Sequence, residues 1–144
     1  MKILIPILAL VLLFTSVAHA ETFSPEEAAE RAAAGELVLI DVRLPSEWAA
    51  TGLPEGALAI ALQDPRTLAV RPGFVEDVLD SLSGDHDREI ALICATGVRS
   101  AFAARLLERH GFAAVHDVGE GMAGSGQGPG WLARALPTEP CAVC

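Results

Sequence analysis

The chain has 144 residues, of which 51% are hydrophobic and 20% are charged, and its formal net charge is −9 at pH 7. This length and composition are typical of one globular domain with a substantial core. Every basic residue after Lys2 is an arginine, and no basic stripe is interleaved with aromatic residues, which argues against nucleic acid as a partner. An acidic surface also repels small anions, so an anionic substrate would need local capture by backbone amides and arginines.

The first twenty residues predict export. Met1-Lys2 is a short positive start, Ile3–Phe14 is apolar, and Ala18-His19-Ala20 has the small-x-small pattern of a cleavage site. The apolar run is shorter than the roughly 20 residues that a membrane-spanning helix needs. We therefore expect a signal peptide at 1–20, cleavage after Ala20, and a periplasmic protein without a stable membrane anchor. An uncleaved N-terminal anchor is the alternative.

The first predicted helix follows directly. Ser24 is the expected N-cap, Pro25 suits the first turn, and Glu27 completes a capping box. The Ala-rich segment behind them should end near Ala34, with Gly35 just beyond the helix.

Strand and helix patterns alternate along the rest of the chain. The strands are expected at Leu37–Ile40, Ala57–Leu62, Glu89–Ile93 and Phe112–Val118, and the helices at Pro45–Ala50, Phe74–Leu82 and Ser100–His110. Ser100 is the expected N-cap of the last helix. This alternation predicts an α/β fold with a mainly parallel central sheet, in which sites lie beyond the carboxyl ends of the strands.

One cysteine lies at such a strand end. The apolar strand runs into the turn Cys94-Ala95-Thr96-Gly97-Val98-Arg99-Ser100, and a helix begins immediately behind it. Backbone N–H groups and a helix N-terminus around a single sulfur favour the thiolate form. Gly97 permits the positive φ of an anion-binding turn, and Arg99 adds a positive charge suited to an oxyanion. We expect Cys94 to be a nucleophile, and an inert buried cysteine is the alternative.

Four other segments accompany this turn. They are Leu39-Ile40-Asp41-Val42-Arg43, Glu47-Trp48, Gly56-Ala57 and Gly119-Glu120-Gly121-Met122. Together with the cysteine turn they resemble the rhodanese (thiosulfate sulfurtransferase) family, from about Phe23 to Pro137. The resemblance implies a rhodanese-like domain at 21–137, with helices on both faces of the sheet, and a tail at 138–144.

The resemblance also implies the chemistry. Cys94 would accept a sulfane sulfur from thiosulfate or a persulfide donor, carry it as a persulfide, and pass it to a thiol or cyanide, without metal or organic cofactor. The expected substrate cradle is Ala95, Thr96, Gly97, Val98, Arg99 and Ser100, with Arg99 orienting the anionic donor. Asp41 would support the turn by a hydrogen bond from the neighbouring strand. Arg43 is also assigned a supporting role, as a structural ion pair with Glu47.

Two other functions compete with this interpretation. Phosphatases and arsenate reductases of related fold use Cys-x₅-Arg loops, but only four residues separate Cys94 from Arg99. The shorter ring suits a single sulfur better than a phosphoryl group, and the loop offers no Asp or His as general acid. A non-catalytic rhodanese-like module that binds a partner or carries sulfur is the second alternative.

A glycine-rich segment follows the last strand. Six glycines occur from Gly119 to Gly130, just before Trp131, which predicts a flexible surface loop. The alternative is a mobile wall of the cysteine pocket that contributes Met122 or Trp131.

The chain ends in a Cys-x-x-Cys pair, Cys141 and Cys144. In an oxidising compartment we expect a local disulfide or an incidental pair. A redox partner role, in which one thiol receives sulfur from Cys94 or forms a mixed disulfide with it, is the alternative. A metal site is disfavoured because third and fourth ligands are not evident.

Overall fold

The computed structural model describes residues 21–142 and 144. The signal peptide predicted for residues 1–20 lies outside these residues, so its cleavage and the periplasmic location stay predictions. In the described part of the chain, no helix combines the length and the apolar character needed to cross a membrane.

A parallel sheet forms the centre of the domain. The strands are β1 (Thr22–Phe23), β2 (Val38–Asp41), β3 (Leu53–Pro54), β4 (Leu58–Ala59), β5 (Ile90–Ile93), β6 (Val115–Val118) and β7 (Thr138–Glu139), and the helices are α1 (Pro25–Ala33), α2 (Pro45–Thr51), α3 (Phe74–Ser81) and α4 (Val98–Arg109). The main sheet has the order β1-β6-β5-β2-β4, and all its neighbouring strands are parallel. The α/β fold with a mainly parallel sheet is confirmed.

The central strand is buried on both faces, which explains its continuous apolar sequence. All four residues of β5 are buried. On one face, helices α3 and α4 contribute Phe74, Val78, Ala104 and Leu107 to the larger core cluster. On the other face, Ala28 of α1 packs in a second cluster with Met122 and Trp131. Helices therefore cover both faces, as the family resemblance implied.

Element boundaries differ from the prediction where pairing decides them. The expected strand Ala57–Leu62 is reduced to β4. The strand expected at Phe112–Val118 is β6, which begins at Val115. At the first helix, the Glu27 N–H donates to Ser24 Oγ at 3.2 Å, so the predicted cap is confirmed.

The glycine-rich segment is anchored at both ends. Gly121 and Trp131 are buried, and the Trp131 N–H donates to the Gly121 carbonyl oxygen at 2.9 Å. The Trp131 indole N–H donates to the Pro137 carbonyl oxygen at 3.0 Å. Met122 and Trp131 belong to the core on the α1 face. Only residues 123–129 approach the surface, because the flanking residues are needed to fill the core.

The C-terminal tail packs on the domain. Strand β7 pairs antiparallel with β3, and Cys141 and Cys144 form a disulfide. Cys141 lies against a small cluster that contains Trp48 and Leu53. The expected local disulfide is therefore present.

Candidate active site

The Cys94 sulfur lies at the end of β5 and accepts two hydrogen bonds. Cys94 is buried, with 1% of its surface exposed. The Gly97 N–H donates to Cys94 Sγ at 3.2 Å, and the Ser100 hydroxyl donates to the same atom at 3.3 Å. Hydrogen bonds that converge on one sulfur stabilise negative charge there. These two donors can therefore stabilise a thiolate at Cys94.

Helix α4 begins earlier than the sequence predicts. It starts at Val98, and Gly97 occupies the N-cap position with φ +85°. Ser100 lies in the first turn and is buried, so the prediction that Ser100 is the N-cap is wrong. The left-handed conformation of Gly97 turns the chain sharply enough for the helix to begin at the next residue. The N–H groups of its first turn have no partner within the helix, and they carry the positive end of its dipole.

A second segment fixes the backbone of the cysteine turn. The N–H groups of Met122 and Ala123 donate to the carbonyl oxygens of Cys94 and Ala95, each at 2.8 Å. A side chain at Gly121 would bring its Cβ within 2.8 Å of the Cys94 carbonyl oxygen. Only the family resemblance pointed to this segment in the sequence, because residue patterns do not show which backbone it contacts.

Arg99 is held by α2. Its guanidinium donates to both carboxylate oxygens of Glu47, with Nη1 and Nη2 at 2.7 and 2.8 Å. The hydrogen bonds from Arg99 lower the pKa of Glu47, and the Leu44 N–H, which donates to the same carboxylate at 2.9 Å, lowers it further. The pair fixes Arg99 beside the cysteine turn, and the role of Arg99 in orienting a donor stays a prediction.

The predicted ion pair of Arg43 with Glu47 is wrong. Arg43 Nη2 lies 2.7 Å from Asp41 Oδ2, and both side chains are almost fully buried. The guanidinium also donates to Thr51 Oγ1 and to the Gly52 carbonyl oxygen, each at 2.8 Å. Arg43 turns inward because Asp41, two residues earlier, has no exposed surface and needs a buried partner.

Asp41 lies at the end of β2, beside the cysteine strand, as expected. Its carboxylate accepts hydrogen bonds from the backbone N–H and the guanidinium of Arg43, not from the cysteine turn. The backbone makes the link instead, because the Val42 N–H donates to the Ile93 carbonyl oxygen at 2.9 Å. Asp41 therefore holds the turn between β2 and α2. This turn positions α2, whose Glu47 pairs with Arg99.

Sequence reasoning missed one buried acid next to this site. Asp117 of β6 pairs in register with Leu92 of β5, two residues before the cysteine, and only 8% of its surface is exposed. Burial raises the pKa of Asp117, while the Ser100 side chain and the charge of Arg105 partly lower it. No local signal marks it, because β6 has the sequence Val-His-Asp-Val and one carboxylate in such a strand does not indicate burial.

The outer side of the turn is open and partly apolar. Thr96 and Val98 are exposed, Val98 at 73%, and Arg99 is half-buried. A groove of about 280 Å³ adjoins Val98 and Arg99, and Phe102 of α4 also lines it. Among the described residues, no group of three or more His, Cys, Asp or Glu side chains could hold a metal ion.

Comparison with known proteins agrees with this arrangement. The model of the rhodanese-like domain family matches residues 24–125. The Bacillus subtilis (strain 168) protein named "Putative sulfurtransferase YtwF" is 34% identical over 92 residues, which cover 64% of this chain and 77% of that protein.

Two solved structures have the same architecture. The polysulfide-sulfur transferase homodimer from Wolinella succinogenes is 25% identical, with a TM-score of 0.62, and the match covers 86% of this chain and 81% of that one. The Rv0390 protein from M. tuberculosis matches 86% of this chain and 100% of its own, with a TM-score of 0.70. At 23% identity, this second likeness shows the fold alone.

The fold and the cysteine turn thus define a rhodanese-type α/β domain. The chain belongs to the rhodanese-like domain family, and its relatives support a sulfur-transfer role in general.

Proposed function

We propose that the protein is a sulfurtransferase that carries sulfane sulfur as a persulfide on Cys94. Thiosulfate or a persulfide is the donor, and a thiol or cyanide is the acceptor. The observation that carries the proposal is the convergence of the Gly97 N–H and the Ser100 hydroxyl on Sγ of Cys94, at the N-terminus of α4.

In the first half-reaction, the Cys94 thiolate attacks the outer sulfur of thiosulfate. A new S–S bond forms at Cys94, the S–S bond of thiosulfate breaks, and sulfite leaves with the bonding electron pair. In the second half-reaction, an acceptor thiolate or cyanide attacks the outer sulfur of the persulfide. That sulfur leaves bonded to the acceptor, and the Cys94 thiolate is regenerated.

The chain's own groups favour the persulfide intermediate. The outer sulfur carries negative charge, and donors arranged before the reaction stabilise such charge without reorganisation. The amides of the turn, from Ala95 to Ser100, are the proposed cradle for this charge. The Arg99 guanidinium, fixed by Glu47, is proposed to attract the anionic donor.

The relatives support the general chemistry of this proposal. One is named as a sulfurtransferase, and a structural neighbour is named for transfer of polysulfide sulfur. With the predicted signal peptide, we place the reaction in the periplasm. The Cys141–Cys144 disulfide is proposed as a structural bond or a contact for a redox partner outside the catalytic cycle.

Steady-state assays test the proposal. Thiosulfate with cyanide should give thiocyanate, and thiosulfate with a small thiol should give sulfite at a rate that depends on enzyme. Cys94→Ser should abolish both activities, whereas the Cys141→Ser/Cys144→Ser double variant should retain them. Arg99→Ala should raise KM for thiosulfate more than it lowers kcat. A folded wild-type protein with no turnover in either assay would favour the non-catalytic module.

A further inference from the structure

The positive charge of Arg99 is compensated where the arginine lies beside the cysteine turn. Its Nη1 and Nη2 atoms each donate to the Glu47 carboxylate, at 2.7 and 2.8 Å. These hydrogen bonds lower the pKa of Glu47, so the carboxylate is ionised at neutral pH. The pair therefore has no net charge. A guanidinium has five N–H donors, and those that Glu47 does not accept can still hydrogen-bond a substrate.

The charge of the whole chain disfavours a doubly charged substrate. The formal net charge is −9 at pH 7. Thiosulfate carries two negative charges, so the chain repels it more strongly than it repels a singly charged donor. Arg71, another arginine close to the site in the fold, is paired as well, with Asp77. The site thus offers an anion oriented hydrogen bonds, but little positive charge to reward a second negative one.

An apolar groove begins at the same part of the turn. Its volume is about 280 Å³, and its lining residues are Leu62, Gln63, Val70, Val98, Arg99 and Phe102. Val98 is 73% exposed, and Val70 and Phe102 are each 40% exposed. Arg99 is the one charged residue of the lining, and Glu47 neutralises it. Because apolar cavities of about 150 Å³ bind benzene, the groove has room for an apolar group of that size.

Hydrogen bonds and helix geometry fix the two sides of this groove. On one side, the Arg71 N–H donates to the Leu62 carbonyl oxygen at 2.9 Å, which holds the neighbouring Val70 in place. On the other side, Phe102 follows Val98 by four residues in α4, so the two side chains lie on the same face of the helix. A groove that is formed before binding costs little to organise, and covering its apolar surface favours binding.

We propose that the site selects a sulfane-sulfur donor that has an apolar body and at most one negative charge, such as an organic persulfide, over the thiosulfate dianion. This inference rests on the proposed function, in which Cys94 accepts the sulfur. The body of the donor lies in the groove against Val98 and Phe102, and Arg99 donates hydrogen bonds to its polar end. Glu47 and Phe102 are then the residues that determine specificity, one for charge and one for the apolar body.

The transfer step is balanced for such a donor. The Cys94 thiolate attacks the outer sulfur of the organic persulfide, and a new S–S bond forms at Cys94. The S–S bond of the donor breaks, and the organic thiolate leaves with the bonding electron pair. The transferred sulfur keeps the proton or the charge that it carried in the donor. The acceptor step is the one already described for cyanide or a thiol.

Three stable donors separate charge from the apolar body: thiosulfate, methanethiosulfonate and benzenethiosulfonate. The first two differ by one negative charge, and the last two differ in the size of the apolar body. We measure kcat/KM for each donor with cyanide as acceptor, because in a double-displacement reaction this ratio excludes the acceptor step. Dividing each value by the rate of the same donor with a free thiolate corrects for the leaving group. The corrected values should rise from thiosulfate to methanethiosulfonate, and benzenethiosulfonate should exceed the latter by about tenfold or more.

Two variants with matched controls test the residues. Glu47→Gln keeps an acceptor for Arg99 but leaves its charge uncompensated, so it should raise the ratio of thiosulfate to methanethiosulfonate by about fivefold. Glu76→Gln removes an exposed carboxylate from α3 and should keep the wild-type ratio. Phe102→Ala should lower the ratio of benzenethiosulfonate to methanethiosulfonate, whereas Leu132→Ala, at a side chain of similar exposure outside the groove, should not.

A corrected wild-type preference for thiosulfate over both thiosulfonates would overturn the inference and leave the proposed function standing. So would a Glu47→Gln or a Phe102→Ala protein that keeps the wild-type ratios. Absence of turnover with all three donors would instead overturn the proposed function, and this inference with it. The two failures are therefore distinguishable in one set of assays.

Discussion

The replacement of Arg43 by methionine tests the buried ion pair that supports the site. Arg43 is 2% exposed and Asp41 is fully buried. The Asp41 carboxylate accepts from Nε and Nη2 of Arg43, at distances of 2.7 to 3.0 Å. Methionine fills much of the volume of the arginine stem but donates no hydrogen bond. The variant therefore leaves a buried carboxylate without its cation.

The magnitude follows from this geometry. Removal of one partner from a buried ion pair costs about 3–5 kcal/mol. A domain of this size is stable by about 5–15 kcal/mol, so the loss is a large fraction of the total. With a urea m-value of about 2 kcal/mol/M, a loss of about 4 kcal/mol moves the unfolding midpoint down by about 2 M.

Equilibrium urea unfolding, followed by tryptophan fluorescence, measures the effect. Arg66→Met is the matched control, because Arg66 lies on the surface and should change the free energy of unfolding by less than about 0.5 kcal/mol. Adding Asp41→Asn to Arg43→Met should recover part of the loss, since no charge then remains buried. Equal midpoints for Arg43→Met and Arg66→Met would refute this reasoning.

Two further predictions concern the residues that hold the cysteine turn. Gly121→Ala should displace the backbone of Cys94 and lower sulfur transfer by at least tenfold, because φ is +66° and the new Cβ would meet carbonyl oxygens of the turn. Gly126→Ala, with open space around it, should retain the wild-type rate, and an equal loss in both variants would contradict the steric argument. The second prediction concerns Glu47, whose pKa is lowered in the folded state by its pairing with Arg99. The pairing therefore stabilises the fold at pH values above the pKa of the carboxyl in the unfolded chain. This stabilisation is lost as the pH falls through the lowered pKa of Glu47 in the folded protein. In a plot of unfolding free energy against pH, Glu47→Gln should therefore flatten the slope on the acid side. The difference should be less than about 1 kcal/mol, because the ion pair is partly exposed. An unchanged slope would contradict this prediction.

Local patterns account for what the sequence predicted well. The apolar run of β5, the cysteine behind it and the helical spacing of α4 are properties of neighbouring residues. They predict a parallel sheet with Cys94 at a strand end, and the structure has this arrangement. The cap at Ser24 was predictable for the same reason, because the residues that form it are three apart.

The errors arose where partners are chosen by the tertiary structure. Glu47 was expected to pair with Arg43, four residues away, but it pairs with Arg99, which is 52 residues away. Ser100 has the side chain of a good N-cap, but the left-handed conformation of Gly97 places the start of the helix before it.

Burial was the second source of error. The glycine-rich segment has the composition of a surface loop, and only the packed core shows that Trp131 is fully enclosed. Asp117 was overlooked because a single carboxylate in a strand has no local signature. Its position beside Leu92, two residues before Cys94, depends on the register between β5 and β6.

The most direct test of the account is the intact mass of the reduced, desalted protein after thiosulfate and then after cyanide. We predict a gain of one sulfur atom that cyanide removes, absent in Cys94→Ser and present in Cys141→Ser/Cys144→Ser. A wild-type protein that gains no sulfur, or a Cys94→Ser variant that still gains it, would contradict the assignment of Cys94 as the sulfur carrier.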